Sequence, residues 1–110
     1  MKTVEVLKKA RALVAKEWCQ DSFGRNQWGH MLENNDLDTA VAFCARGACM
    51  YAGTTTTEAR RASLELAKTL GFKADYDGLK DLAEWNDDPM RTQRQVVNLF
   101  TRTIKRLKNA

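Results

Sequence analysis

The sequence predicts an all-α protein, a compact bundle of four or five helices around a central apolar helix. Three observations predict this fold. Apolar residues recur at helical spacing, helix-capping residues stand at intervals along the chain, and no segment alternates apolar and polar residues as a half-buried strand does. A chain of 110 residues, 44% of them hydrophobic, is expected to form one domain, residues 1–110, with a single core.

Residues 3–17 are predicted to form the first helix. Their apolar residues fall at i, i+3, i+4 and i+7, with lysines on the other faces. Residues 18–35 then interrupt the helical pattern with glycines and asparagines, which favour loops. We expect the aromatic residues of this segment to fasten it to the core: Trp18, Phe23 and Trp28.

Residues 39–52 are predicted to form the central helix, capped by Asp38 and ended by Gly53. This run is apolar on nearly every side, and Arg46 is its only charge, which is typical of a helix surrounded by others. Small residues gather on one side and predict the close approach of a neighbouring helix, which would explain a glycine in mid-helix. They are Ala40, Cys44, Gly47 and Ala48.

Three more helices are predicted toward the end of the chain. A capping box begins the third at Thr55, and this helix ends before Gly71. A short fourth helix covers residues 78–85 and presents Trp85 to the core. The fifth covers residues 93–107. It can begin from Asp88 and Pro89, or from a capping box formed by Thr92 and Gln95, and we favour Thr92.

Two motifs resemble a known family. Cys44-Ala45-Arg46-Gly47-Ala48 in the predicted central helix and Trp85-Asn86-Asp87-Asp88-Pro89-Met90-Arg91-Thr92 before the last helix, together with Trp18, are similar to an uncharacterised bacterial and phage family of small helical proteins. That family pairs a Cys-Ala-x-Gly-Ala helix with a Trp/Tyr-Asn-Asp turn. The resemblance implies a helical fold and a bacterial or phage origin, and it implies no activity. Residues 19–37 depart from the family's glycine-rich stretch.

The last predicted helix carries a stripe of cations. Residues 91–110 contain six basic and no acidic residues, and most of the cations fall within about 120° of one another, opposite the apolar face. A stripe of one sign suits a polyanion, so we expect it to contact an acidic surface of a partner protein or the phosphates of a nucleic acid. The predicted binding residues are Arg91, Arg94, Arg102, Lys105 and Lys108.

The middle of the chain has the opposite charge, with seven basic and twelve acidic groups in residues 18–90. Its acidic stretch, residues 75–88, is a second candidate surface, represented by Asp77, Asp81 and Asp87. The same segregation of charge also allows the two basic ends simply to pack against the acidic middle. For Asn86 and Asp87 we expect mainly a structural role, as acceptors for backbone N–H groups in a turn.

The three cysteines are expected to be free, buried thiols rather than a metal site. Cys44 and Cys49 lie about 140° apart around one predicted helix, and zinc-binding spacings are absent from the sequence. A cysteine enzyme could use Cys44 with His30 as base and Asn86 or Asp87 to orient it. Cys44 is predicted in mid-helix, however, where nothing lowers its pKa.

We therefore expect a small non-enzymatic binding protein without a cofactor or a metal. Given the resemblance, we expect a phage or mobile-element accessory factor that engages a host protein, counter-defence being one form of this role. Nucleic-acid binding through the basic helix is the alternative, and a cysteine-dependent enzyme is the third hypothesis. No apolar run approaches the ~20 residues that span a bilayer, and the first residues do not resemble a signal peptide, so we expect a cytoplasmic protein without membrane contact.

Overall fold

The computed structural model describes residues 1–109 and shows five helices joined by a small antiparallel sheet. The helices are α1 (Thr3–Lys16), α2 (Ala45–Ala52), α3 (Thr56–Thr69), α4 (Tyr76–Asp87) and α5 (Gln93–Lys108). The strands are β1 (Gly24–Arg25), β2 (Met31–Leu32) and β3 (Ala42–Phe43), in the order β2-β1-β3. The helical prediction is confirmed, and the prediction of a protein without strands is wrong.

The sheet lies mainly in the segment predicted to be irregular. Gly24 of β1 pairs with Leu32 on one side and with Phe43 on the other. Each strand has only two residues, which is too short for the alternation by which a strand is recognised in a sequence. Trp18 adds an isolated bridge to Phe43 and packs against the core, whereas Trp28 is 71% exposed, so the expected anchoring by Trp28 is wrong.

The central helix is shorter than predicted. α2 begins at Ala45, and its N-cap is Cys44 rather than Asp38. The preceding residues are extended because Phe43 donates its N–H to the carbonyl oxygen of Glu17 and accepts from the N–H of Cys19. Val41 and Phe43 favour such a conformation, but their run of apolar neighbours reads equally well as a buried helix. The central position of α2 is confirmed, since Ala45, Ala48 and Cys49 are fully buried.

Gly47 is required by a close approach, but not by the approach of a helix. A Cβ atom at this position would lie 1.8 Å from the carbonyl oxygen of Phe23. The backbone of residues 22–24 therefore crosses directly over the first turn of α2. The same carbonyl accepts a hydrogen bond of 3.1 Å from the N–H of Cys44, which fixes the crossing.

The N-caps of α3 and α5 lie at the predicted residues, whereas α4 extends beyond its predicted limits. Thr92 and Gln95 form the reciprocal capping box of α5. Thr55 caps α3 by accepting from the N–H of Glu58, but the predicted capping box does not close, because the Glu58 carboxylate accepts from the N–H of Thr54 instead. Gly71, with φ of +84°, follows the end of that helix. α4 is longer than predicted at both ends, because Asp75 caps it and the Trp85-Asn86-Asp87 motif forms its last turn.

The core lies where the apolar faces of the helices meet. α1 packs against α2 and α5 with Val6, Leu7, Ala10 and Val14, all of them on the predicted apolar side. Phe100 and Leu99 of α5, Leu66 of α3 and Leu82 of α4 are the largest fully buried side chains from the other elements. None of the helices in residues 1–109 is both long enough and apolar enough to cross a lipid bilayer.

Candidate functional site

The cations of α5 form one continuous exposed surface. Arg94, Arg102, Lys105 and Lys108 are exposed, while Val96, Leu99, Phe100, Thr103 and Ile104 face the core. The sequence-predicted stripe therefore points to solvent at four of its five positions. Arg106 is not part of it, because it pairs with Glu65 of α3 at 2.8 Å.

α1 extends this surface with two further cations. Arg11 donates to the hydroxyl of Thr101 on α5 at 3.3 Å, and the ammonium of Lys8 stands beside that of Lys108. The closeness of Lys8 lowers the pKa of Lys108, and Arg11 acts in the same direction. We call the combined set the basic face: Lys8 and Arg11 of α1 with Arg94, Arg102, Lys105 and Lys108 of α5. Sequence reasoning missed the α1 members, although the excess of lysine in residues 1–17 was a signal.

Arg91 packs against Trp85 and is not part of the basic face. Its guanidinium carbon lies 4.0 Å from the centre of the Trp85 ring, and its Nε donates to the carbonyl oxygen of Trp85 at 2.9 Å. It is half-buried in this position. Trp85 is likewise half-buried and packed against the core, so Arg91 covers the outer side of the ring and secures the connection between α4 and α5.

The three acidic residues predicted to form a binding surface differ in their exposure to solvent. Asp77 is exposed in the first turn of α4, and Asp81 follows one turn later and is half-buried. Asp87 is also half-buried, and its Oδ1 accepts from the N–H of Asp21 and from the amide of Asn86, both at 2.9 Å. Asp87 therefore holds residues 19–21 against α4, and its carboxylate is not free in the way that the carboxylate of Asp77 is.

Asn86 joins the segment after Trp85 to the start of α2 and to the residues that follow α1. This side chain is 1% exposed, and its Oδ1 accepts from the indole N–H of Trp18 at 2.9 Å and from the backbone N–H of Ala45 at 3.1 Å. Its amide nitrogen donates to the carbonyl oxygen of Cys19 at 3.2 Å. One asparagine thus joins the end of α4, the start of α2 and the segment after α1. The expected structural role is supported, but the bonds span 41 to 68 residues instead of closing a local turn.

A cleft of about 260 Å³ opens beside this junction, and we call it the small cleft. Cys44, Arg46, Asn86 and Asp87 line it from the two motifs. The remaining lining comes from the residues just before β1, from β2 and the residue after it, and from α4: Asp21, Ser22, Phe23, Met31, Leu32, Glu33 and Ala83. His30 is exposed in the β1–β2 hairpin near Trp28 and does not line the small cleft, so it is not placed as a base for Cys44.

Cys44 lies at the N-terminus of a helix, as activated thiols often do, but it is buried. The Sγ atom accepts from the N–H of Gly47 at 3.2 Å at the start of α2, which corrects the mid-helix placement. Burial nevertheless raises the pKa of Cys44 to about 11, and the opposing hydrogen bond does not offset it. Burial also raises the pKa of Cys19 and of Cys49 to about 12.

We expect these thiols to resist alkylation in the folded protein. A pKa of about 11 for Cys44, against an ordinary value near 9, implies a reaction with iodoacetamide at pH 7.5 that is about a hundredfold slower than in the unfolded chain. Mass spectrometry should find three labels after denaturation in guanidinium chloride and essentially none before it. Rapid labelling of native Cys44 would contradict this and favour the cysteine-dependent enzyme.

Comparisons with known proteins place the chain in a family. The chain belongs to the Family of unknown function DUF6197, whose model matches residues 1–106. Neither a curated protein nor a solved structure matches it significantly. Within residues 1–109, no three histidine, cysteine, aspartate or glutamate side chains are grouped so that they could hold a metal ion.

Proposed function

We propose that this protein is a non-enzymatic binding protein that docks an acidic surface of a partner protein on its basic face. The observation that supports the proposal is that six cations from two helices share one surface. Within residues 1–109, none of the six lies within ion-pair distance of a carboxylate. Surface cations that face no internal anion are available to an external one.

The Lys8–Lys108 contact supports an external anion in particular. Two adjacent ammonium groups disfavour each other's charged form, which is visible in the lowered pKa of Lys108. A carboxylate placed between them would reverse this effect. The packing of α1 against α5 brings the two lysines onto one side of the molecule before a partner binds.

The biological setting that we propose is an accessory factor of a phage or mobile element that engages a host protein, including one of host defence. This setting is supported by the motifs of the chain, which resemble those of phage-associated proteins.

Charge reversal on the basic face tests the proposal. We expect Arg94→Glu/Arg102→Glu to abolish capture of partner proteins by the tagged chain from host lysate, because two of the six cations of the basic face become anions. The matched control is Arg61→Glu/Lys73→Glu, which makes the same change of net charge at exposed positions elsewhere. Captured proteins are identified by mass spectrometry, and circular dichroism confirms that both variants are folded.

Equal capture by both double variants would overturn docking on the basic face. Loss of capture only on reversal of Asp77 and Asp81 would move the interface to the acidic side of α4. Each lysate is also divided into nuclease-treated and untreated halves, so that a protein retained through nucleic acid is not counted as a direct partner.

The second candidate function is nucleic-acid binding by the same face. Phosphates are the densest polyanion available to paired lysines, and the Lys8–Lys108 contact favours them. In a titration of duplex DNA, log Kd should then change with log salt concentration by about 0.9 per phosphate contacted, giving a slope of several units. A response that does not depend on salt would eliminate this candidate.

A further inference from the structure

A second cavity, of about 430 Å³, opens between α2, α3 and the start of α4, and we call it the large cavity. Its volume falls within the range of small-molecule sites, roughly 300–1,000 Å³. Met50, Ala59 and Leu79 supply apolar wall, and Tyr76, which is 66% exposed, stands at the opening. The large cavity lies away from the basic face, so the proposed docking leaves it unexplained.

The charged residues of the large cavity have a single sign. Arg46 of α2 and Arg60 of α3 line it, and its lining contains no aspartate or glutamate. In the part of the chain that the structure describes, neither guanidinium has a carboxylate within ion-pair distance. Guanidinium groups beside a cavity without acids favour an anionic occupant, and their planar forks match the oxygens of a phosphate or carboxylate.

The Arg46 guanidinium is held in place from one side. It lies 5.3 Å from the centre of the Phe23 ring, and its side chain is half-buried between the small cleft and the large cavity. A guanidinium stacked in this way loses less conformational freedom on binding than one that moves freely. Arg60, by contrast, is exposed and can reach toward an anion from the solvent side.

Hydroxyl groups supply further donors around the large cavity. Thr55 accepts from the N–H of Glu58, which leaves its own hydroxyl hydrogen free to donate. Thr56 also lines the cavity, and so does Ser63, which is only 3% exposed and whose hydroxyl contacts the Cys49 thiol. Two guanidinium groups and several hydroxyl groups can donate hydrogen bonds to three anionic oxygens. A phosphomonoester has three such oxygens and a carboxylate only two, so this set of donors favours a phosphate.

We infer that the large cavity binds a small phosphomonoester that carries an apolar or aromatic group. The phosphate lies between Arg46 and Arg60, where Thr55 and Thr56 donate to it. The apolar part of the ligand packs against Met50 and the ring of Tyr76. Binding involves no chemical step.

Phenyl phosphate is the probe, and isothermal titration calorimetry is the measurement. Arg46→Gln and Arg60→Gln should each weaken binding about tenfold, because each removes a charge-assisted hydrogen bond of roughly that contribution to Kd. The matched control is Arg61→Gln, one position along α3, exposed and outside the cavity lining. It should bind like the wild type, as should Arg94→Glu/Arg102→Glu on the basic face.

The outcomes separate the site from general electrostatic attraction. Absence of binding to the wild type at millimolar phenyl phosphate would overturn the inference, as would an equal loss of affinity in Arg60→Gln and Arg61→Gln. Inorganic phosphate binding as tightly as phenyl phosphate would refute the apolar subsite, and benzyl alcohol binding as tightly would refute the anionic one. If Arg46→Gln does not fold, the affinity of Arg60→Gln for phenyl phosphate tests the inference by itself. The Arg60 side chain is exposed, so its replacement should leave the fold intact.

Discussion

Asn86→Ala is expected to lower the free energy of unfolding by about 3–5 kcal/mol, among the largest effects of any single substitution in this chain. The alanine leaves three groups without partners: the partly buried indole N–H of Trp18, and the buried backbone N–H of Ala45 and carbonyl oxygen of Cys19. Each unsatisfied buried group costs about 1–3 kcal/mol, and water entering through the adjacent small cleft reduces the total.

Denaturation by urea, followed by circular dichroism, measures the loss. The matched control is Asn98→Ala, which removes an exposed asparagine from α5 and should change stability by no more than about 0.5 kcal/mol. A local readout accompanies it: the indole N–H of Trp18 should be protected from hydrogen exchange in the wild type and lose that protection in Asn86→Ala. If Asn86→Ala proved as stable as Asn98→Ala, Asn86 would not be the junction described above.

Gly47→Ala is expected to destabilise the protein by about 3 kcal/mol or more, although helix propensity alone predicts the opposite sign. Alanine is favoured over glycine in a helix by about 1 kcal/mol. The new Cβ, however, would lie 1.8 Å from the Phe23 carbonyl oxygen and 2.7 Å from its carbonyl carbon. No side-chain rotation relieves a clash between Cβ and backbone, so the crossing segment must move away and lose its hydrogen bond from Cys44.

Gly71→Ala provides the comparison. Gly71 has φ of +84°, and a Cβ at this position would meet nothing within 4 Å, so the substitution introduces only backbone strain. That strain costs about 1–2 kcal/mol. Thermal and urea denaturation should therefore rank Gly47→Ala well below Gly71→Ala in stability. A Gly47→Ala variant more stable than the wild type would show that propensity dominates and that residues 22–24 do not cross α2 so closely.

The helices of this protein could be predicted because their signals are local. The apolar stripe of α1 and the Thr92–Gln95 capping box of α5 are each contained in one short segment, and the structure confirms both. The start of α2 could not be predicted in the same way. Cysteine is not among the preferred N-caps, and Cys44 takes that position because the pairing of Phe43 with residues 17–19 ends the extended segment there.

The candidate sites were less accessible to sequence reasoning because they depend on distant residues. The α5 half of the basic face follows from one helical wheel, but its α1 half requires knowing that Lys8 faces Lys108. The partners of Asn86 lie as far away as Trp18, and no spacing rule connects the two. The large cavity carries no sequence signal, because Arg46 and Arg60 belong to different helices and look like ordinary solvated cations.

The packing of α1 against α5 has a consequence during synthesis on the ribosome. α1 emerges well before α5, which is one of its main partners and begins only at Gln93. At about 5–20 residues per second, the intervening chain takes on the order of ten seconds to appear. During that time α2 and α3 can cover part of the apolar side of α1, while the part that meets α5 stays open to chaperones. A nascent chain stalled before Gln93 would keep this surface exposed, and proteases would distinguish it from the finished protein.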